Sequence, residues 1–280
     1  MQFGVSTQIY HAQRLRPDHL AEVASHGFST IEIIATRSHI DYHDPSALDE
    51  VSNWLTREGL RLHSLHAPVM ERFEGGRWVS PLSIASPAEA ARAQAVRETR
   101  AALELAKRTA ISVLVVHVGL PESLLSPAVQ NSRDAARRSI EEIAGCASPL
   151  GVRVALEVIP NALSTAETLV DLVEELDHPD VGVCLDFGHA HMQGDVVDAV
   201  ETLSGLLLAT HVHDNHGRRD EHLAPFEGTI DWPGALLALQ KVGYEGTMTL
   251  ELAGADPSAP ALERARQAMA RLEDAARSWA

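Results

Sequence analysis

Nine side chains of the types that bind metal ions stand at or just after the ends of apolar runs in this sequence. Each run gives way to a short polar turn, as in ISVLVVHVG and GTMTLELAG. The nine residues are His66, His117, Glu157, Asp186, His189, His211, Asp220, His222 and Glu251. Zinc accepts imidazole nitrogen and carboxylate oxygen as ligands, and a carboxylate can bridge two ions. Core packing does not explain such residues at the end of run after run, so the pattern predicts one multi-metal active site.

The acidic members of this set strengthen the prediction. Glu157, Asp186 and Glu251 occupy equivalent positions at the ends of apolar runs. An unpaired carboxylate is costly to bury, and a shared cation removes that cost. A histidine such as His66, taken alone, would be typical of a structural residue instead. Taken together, these residues indicate a site for a divalent metal, with zinc or manganese as the expected ion.

Eight apolar runs, which alternate with amphipathic helical stretches, must position these residues. The runs are FGVSTQI, FSTIEII, LRLHSLH, ISVLVVHV, VRVALEV, VGVCLDF, LLLATHV and TMTLEL. Pro17 and Pro87 mark helix starts between the runs, and Gly27 marks a helix end. Consecutive apolar residues are typical of strands buried on both faces. The pattern predicts an α/β fold, a (β/α)8 TIM barrel that takes up residues 1–280 as a single domain.

Two long connections, after the third and the seventh strand, are expected to lie over the active face of the barrel and to shape a substrate pocket. They run through PVMERFEGGRWVSPLSIAS and DNHGRRDEHLAPFEGTIDW. Asp220 and His222, two residues apart in the second connection, can close on one ion from one side. The residues predicted to contact substrate are Arg37, His39, Arg72, Trp78, His213, Arg218 and Arg219. For the arginines and the tryptophan in these two connections, a plain surface position is the alternative.

Composition and charge limit the partners. The formal net charge of −16 over 280 residues disfavours loose binding to nucleic acid through its phosphates. No apolar run approaches the roughly 20 residues that span a bilayer, so no membrane role is expected. Cys146 and Cys184 lack a zinc-type spacing, and the segment MQFGVSTQIY lacks a basic region followed by an apolar core. We therefore expect a reduced, cytoplasmic protein that acts on a small molecule.

The residues at the strand ends resemble a known family, the xylose isomerase-like TIM barrels. This family includes the sugar epimerases and the endonuclease IV class (AP endonuclease family 2), and the similarity extends over essentially the whole chain. The residues that match the single-metal quartet of the ketose epimerases are Glu157, Asp186, His211 and Glu251, on the fifth to eighth strands. The resemblance implies that the two glutamates exchange protons with a sugar. Glu157 and Glu251 are therefore the expected catalytic residues.

The remaining candidate ligands resemble those that give endonuclease IV its three zinc ions, including His66 in HAP, His117 in HVG and the Asp220-x-His222 pair before FEG. The resemblance implies three ligand groups. The first is His66, His117 and Glu157; the second is Glu157, Asp186, His211 and Glu251; the third is His189, Asp220 and His222. The expected cofactor is therefore zinc, up to three ions, with manganese as the alternative.

The segment after Glu157 departs from the endonuclease pattern, because VIPN stands where an NTAG-like run is expected. IEIIATRSHIDYHD and FEGTIDW are more similar to sugar phosphate isomerases or epimerases of the family, so the expected substrate is a small phosphoester or sugar phosphate. The preferred prediction is phosphoester hydrolysis through a metal-bound hydroxide, since three ions suit that reaction. The alternative is a one-metal isomerase or epimerase, in which Glu157 and Glu251 move a proton between adjacent carbons. A metal-dependent binding module without catalysis is a third possibility.

Overall fold

Eight parallel strands close into a barrel in the computed structural model, which describes residues 2–124, 131–253 and 261–277. The described strands are β1 (Gln2–Ser6), β2 (Thr30–Ile34), β3 (Arg61–His66), β4 (Met70–Glu74), β5 (Arg77–Pro81), β6 (Val113–His117), β7 (Arg153–Glu157), β8 (Val181–Asp186), β9 (Leu207–Val212) and β10 (Thr247–Leu250). All except β4 and β5 belong to the barrel, in chain order, and β10 pairs with β1. The predicted (β/α)8 barrel is confirmed.

Helices connect the barrel strands. They are α1 (Pro17–Ser25), α2 (Pro45–Glu58), α3 (Glu89–Ala102), α4 (Arg133–Ala147), α5 (Ala166–Leu176), α6 (Phe187–Gln193), α7 (Val196–Thr202), α8 (Trp232–Lys241) and α9 (Ala261–Arg277). Pro17 is the first residue of α1, as predicted, whereas Pro87 lies two residues before α3. No helix in the described part of the chain is long and apolar enough to cross a membrane.

The barrel interior changes from apolar to polar along the strands. Its apolar layer contains Val113, Val115, Ala155, Cys184 and Ala209, each at most 2% exposed. Side chains two positions apart on a strand point to the same face. Two residues beyond this layer, the inward face therefore carries four of the predicted ligands: His117, Glu157, Asp186 and His211.

The connection after β3 contains a β-hairpin, where the sequence predicted only a long loop. β4 and β5 pair antiparallel, with Phe73 opposite Trp78. Gly75 and Gly76 form the turn with φ values of 58° and 77°. Positive φ at both central residues is the requirement of a type I′ turn, which matches the twist of a two-residue hairpin. The hairpin thereby gives Trp78 a defined position.

The connection after β9 is held together by one buried carboxylate. Asp214 is fully buried and accepts hydrogen bonds from the backbone N–H groups of Asn215 (2.9 Å), Phe226 (2.9 Å) and Ile230 (3.2 Å). It also accepts a hydrogen bond from the indole N–H of Trp232 at 2.8 Å. These contacts tie the two ends of the segment that carries Asp220 and His222.

Candidate metal centre

The quartet Glu157, Asp186, His211 and Glu251 converges at the carboxyl ends of adjacent strands. One ligand atom from each residue lies within 4.8 Å of the others. His211 Nδ1 is 3.1 Å from Glu157 Oε1 and 3.4 Å from Glu251 Oε2. None of the four residues is more than 5% exposed. Three buried carboxylates at such short range repel one another, and a divalent cation between them would offset that repulsion.

Glu157 also contacts a second group of candidate ligands, through its Oε2 atom. Oε2 of Glu157 lies 3.1 Å from His66 Nε2 and 3.0 Å from His117 Nε2. Its Oε1 is the atom directed at His211. A carboxylate that presents one oxygen to each of two ligand groups has the geometry needed to bridge two ions. The grouping that the resemblance implied for these residues is present in the structure.

A third group contains His189, Asp220 and His222, as the resemblance implied, together with His213. Asp220 Oδ2 lies 3.3 Å from His189 Nε2 and 3.2 Å from His222 Nε2. His213 Nε2 lies 3.0 Å from Oδ1 of Asp186, so this fully buried imidazole links the third group to the quartet. A Cβ atom at position 188 would overlap the His213 ring, and Gly188 leaves the necessary space.

Backbone carbonyls orient three of the histidines. The pairs of Nδ1 and carbonyl oxygen are His66 with Ala67 (3.0 Å), His189 with Val158 (3.1 Å) and His222 with Glu251 (2.8 Å). Each Nδ1–H can donate to its carbonyl, which leaves the Nε2 lone pair directed at the ligand cluster. Metal-binding histidines in proteins are usually held in this way. The donor set and its orientation therefore fit divalent metal ions.

Charge interactions within the cluster shift the pKa values of its members. Burial disfavours the charged imidazole, but the hydrogen bond to Glu157 and its charge raise the pKa of His66 to about 9. Burial also opposes charge on His222, and Asp220 nevertheless raises its pKa to about 10. The pKa of Glu157 is held well below its usual range, against the effect of burial, by His117 and His211. The cluster thus stabilises positive charge, and a bound cation would displace the protons of the histidines.

Glu32, on β2, completes the cluster and was not predicted from the sequence. Its Oε2 lies 2.9 Å from His211 Nε2 and accepts a hydrogen bond from Ser64 Oγ at 2.7 Å. Glu32 is fully buried. His211 therefore presents Nδ1 to Glu157 and can donate its Nε2–H to Glu32, an outer carboxylate that fixes its tautomer. The only sequence signal is one acidic residue within the buried run TIEII.

Replacement of Glu32 by glutamine should lower the metal affinity by about 10- to 100-fold, because the orienting carboxylate of His211 is lost. The measurement is competition with a chromophoric chelator. Glu98→Gln is the matched control, because within the described part of the chain the side chain of Glu98 accepts hydrogen bonds from Tyr42 and His43, both at 2.8 Å, and belongs to none of the ligand groups. Wild-type affinity in Glu32→Gln would contradict an orienting role for this carboxylate.

A cavity of about 490 Å³ opens onto the ligand cluster. Asp186 and His211 lie behind its surface, while the other predicted ligands line it. Three of the residues predicted to contact substrate also line it, and these are Trp78, Arg218 and Arg219. The cavity therefore brings the candidate metal centre and these side chains to one place.

The other residues predicted to contact substrate do not line this cavity. Arg37 and Arg72 form ion pairs with nearby acids, Glu71 at 3.4 Å and Glu74 at 3.3 Å respectively. His39 is fully buried, with Nδ1 2.7 Å from the carbonyl oxygen of Gln13. His213 lies within the ligand cluster, as described above. Local ion pairs and burial therefore hold these side chains away from the cavity surface.

Comparisons with known proteins place the barrel in a family. The model of the family described as "Xylose isomerase-like TIM barrel" matches residues 20–275. An uncharacterized protein of Methanocaldococcus jannaschii is 30% identical over 258 residues, which cover 90% of this chain and 83% of that protein. A ketose 3-epimerase of Arthrobacter globiformis is 27% identical over 145 residues, which cover 50% of this chain and 48% of that protein.

One solved structure extends the comparison to almost the full length of both chains. The crystal structure of a D-tagatose 3-epimerase-like protein superposes with a TM-score of 0.80 at 28% identity. The match covers 98% of this chain and 97% of the other. As its strand-end residues predicted, the chain belongs to the xylose isomerase-like TIM-barrel family.

Proposed function

We propose that this protein is a metal-dependent isomerase or epimerase of a small polyhydroxylated carbonyl compound. The observation that carries the proposal is the position of Glu157 and Glu251. Both line the cavity, and both flank the same nitrogen of His211, at 3.1 and 3.4 Å. Two carboxylates beside one metal position can move a proton between adjacent carbons or between the two faces of one carbon. The similarity to a ketose 3-epimerase and to an epimerase-like structure supports the proposal.

Two residues of the quartet lie behind the cavity surface, and the other two line the cavity. When bound, a divalent cation would polarise neighbouring carbonyl and hydroxyl oxygens of the substrate and acidify the hydrogen on the carbon beside them. Asp186 and His211 hold the site from behind and do not line the cavity. Glu157 and Glu251 belong to the quartet and also line the cavity. One of them therefore removes the proton and the other supplies it.

Exchange of carbon-bound hydrogen with solvent tests the proposal. The protein, loaded with Mn²⁺, Co²⁺ or Zn²⁺, is incubated with ketohexoses and aldohexoses in D₂O, and the reaction is followed by NMR. The expected result is loss of the signal of the hydrogen next to the carbonyl group, with appearance of an epimer or an isomer. Absence of exchange for every sugar and every metal would contradict the proposal.

Phosphoester hydrolysis is a second candidate, and the ligands outside the quartet favour it. A proton transfer of the kind proposed needs one ion, whereas further groups able to hold a metal contain His66, His117, His189, Asp220 and His222. Several cations together can neutralise charge on a phosphoryl group under attack. The sequence alone favoured this reaction, but the related epimerases favour the isomerase, so hydrolysis ranks second here.

The metal content of His117→Ala and His222→Ala distinguishes the two candidates. If the protein is a one-metal isomerase, both variants should keep one ion per chain and should retain proton exchange, since neither residue belongs to the quartet. If it is a hydrolase, the wild type should hold two or three ions. Each variant should then lose about one of them, along with most hydrolysis of bis(p-nitrophenyl) phosphate.

Elemental analysis of protein purified without chelator and without an affinity metal gives the number of metal ions per chain. His26→Ala is a suitable control, because the His26 side chain hydrogen-bonds to the end of α1, at Glu22 and Ser25, and is in none of the ligand groups found among the described residues. It should match the wild type in metal content. One ion in the wild type and in both variants would exclude the three-ion hydrolase.

A further inference from the structure

The walls of the cavity beyond the ligand cluster are mainly apolar. Of the fourteen lining residues that are not predicted ligands, nine are apolar. Among these apolar residues are Val69, Met70, Trp78, Leu120, Pro160 and Met192. They come from the connections after β3, β6, β7 and β8, so the apolar surface is assembled from several barrel loops. This surface is continuous with the candidate metal centre, because both line the same cavity.

Beyond the ligand cluster and the two arginines, few polar groups are available to bind the hydroxyl groups of a free sugar. Apart from the predicted ligands, the uncharged polar residues of the lining are Gln8, Thr36 and Ser123. A free ketohexose carries oxygen on every carbon, and a metal centre would engage only two adjacent oxygens. Hydroxyl groups that lie beyond the ligand cluster would face mostly apolar surface and lose their hydrogen bonds to water, which costs affinity. The walls therefore suit a substrate whose distal part is apolar.

Trp78 gives this surface an aromatic face. Its side chain lines the cavity, yet the residue is 37% exposed in the structure. The hairpin fixes it opposite Phe73, with ring centroids 5.0 Å apart, and His11 lies 5.4 Å away. Aromatic rings attract other rings in stacked or edge-to-face geometry. A rigidly held, half-open tryptophan is thus suited to bind an aryl group.

Met70 and Met192 add adaptable apolar surface to the same cavity. Methionine is unbranched and polarisable, and its sulfur makes favourable contacts with aromatic rings. The cavity volume of about 490 Å³ lies within the range of roughly 300 to 1,000 Å³ found for drug-sized ligands. The cavity can therefore take a sugar core together with a substituent.

We propose that the substrate carries an apolar, aryl-sized substituent on its polyhydroxylated core, and that the wall around Trp78 binds this substituent. The identity of the core rests on the function proposed above; the binding of the substituent does not. Arg218 and Arg219 also line the cavity, so an anionic group such as phosphate is the competing occupant of the distal region.

Binding of three matched sugars tests this inference. The ligands are D-tagatose, its 6-O-benzyl ether and its 6-phosphate, measured by calorimetry with the metal-loaded protein. The benzyl ether should bind about tenfold more tightly than the parent sugar, because it buries an aryl ring against Trp78. Trp78→Ala should remove most of this advantage, whereas Trp78→Phe, which retains an aromatic ring, should keep much of it. Metal content should be unchanged in both variants.

The outcomes separate this inference from the proposed function. Equal affinity for the benzyl ether and the parent sugar, or tighter binding of the 6-phosphate, overturns the apolar substituent even if proton exchange occurs in D₂O. A benzyl advantage that depends on Trp78 supports the substituent even if no sugar exchanges its carbon-bound hydrogen. In that second case only the proposed reaction fails.

Discussion

Replacement of Glu157 by glutamine should lower kcat/KM for proton exchange by about 10²- to 10⁴-fold, the range typical for loss of a general acid or base. Glu157 belongs to two of the ligand groups and presents a different oxygen to each. Its Oε1 lies 3.1 Å from His211, and its Oε2 lies 3.0 to 3.1 Å from His117 and His66. The amide keeps the shape of the side chain but removes its negative charge. Metal binding should therefore weaken at both groups at once.

Steady-state kinetics and elemental analysis of the same preparation measure the two effects of Glu157→Gln. Glu98→Gln again serves as the matched control, since it removes the same charge from a residue outside the cluster. A Glu157→Gln variant with the activity and metal content of the wild type would contradict the central position assigned to this residue. The result bears on either candidate reaction, because both require Glu157.

The convergence of the strand-end candidate ligands could be predicted from the sequence because of the way a parallel barrel is built. All barrel strands run in the same direction, so their carboxyl ends meet on one face. A polar residue that ends an apolar run, such as His117 or Glu157, is therefore placed by local pattern alone. The structure also brings the ligands into the groups that the family resemblance implied.

Glu32 could not be predicted in the same way, because it depends on non-local geometry. Its strand is buried on both faces, so the sequence TIEII does not reveal which face points into the barrel. A register shift between Ile31 and Glu32, where β2 pairs with β3, helps set the position of Glu32 beside Ser64. Neither the shift nor the contact with His211, 179 positions away in sequence, leaves a local signal.

The hairpin after β3 was not predicted either, for a different reason. The segment RFEGGRWV carries a two-glycine turn between residues able to form strands, which is a readable hairpin signal. The whole connection after the third strand was predicted as one long loop. The hairpin fixes Trp78 at the cavity, whereas the same hairpin pairs Arg72 with Glu74. Side chains from one predicted loop thus lie in different surroundings, which depend on their strand partners.

Among the substitutions proposed here, removal of the Asp214 carboxylate should cause the largest decrease in the free energy of unfolding. Asp214 is fully buried and accepts hydrogen bonds from three backbone N–H groups and from the indole of Trp232. In Asp214→Ala these donors lose their partner within the protein interior. The expected decrease in the free energy of unfolding is about 3 to 5 kcal/mol, because buried donors are left unpaired. Asp214→Asn keeps one acceptor oxygen and should lose less.

Urea unfolding of the wild type and these variants measures the effect. Asp231→Ala is the control within the same connection, because Asp231 caps α8 through the N–H of Gly234 at 3.2 Å from an exposed position. Loss of such a cap costs about 1 kcal/mol. Asp214→Ala should also weaken the binding of any ion by Asp220 and His222, since Asp214 holds the connection that carries both residues. If Asp214→Ala were no less stable than Asp231→Ala, the carboxylate would not be what orders this connection.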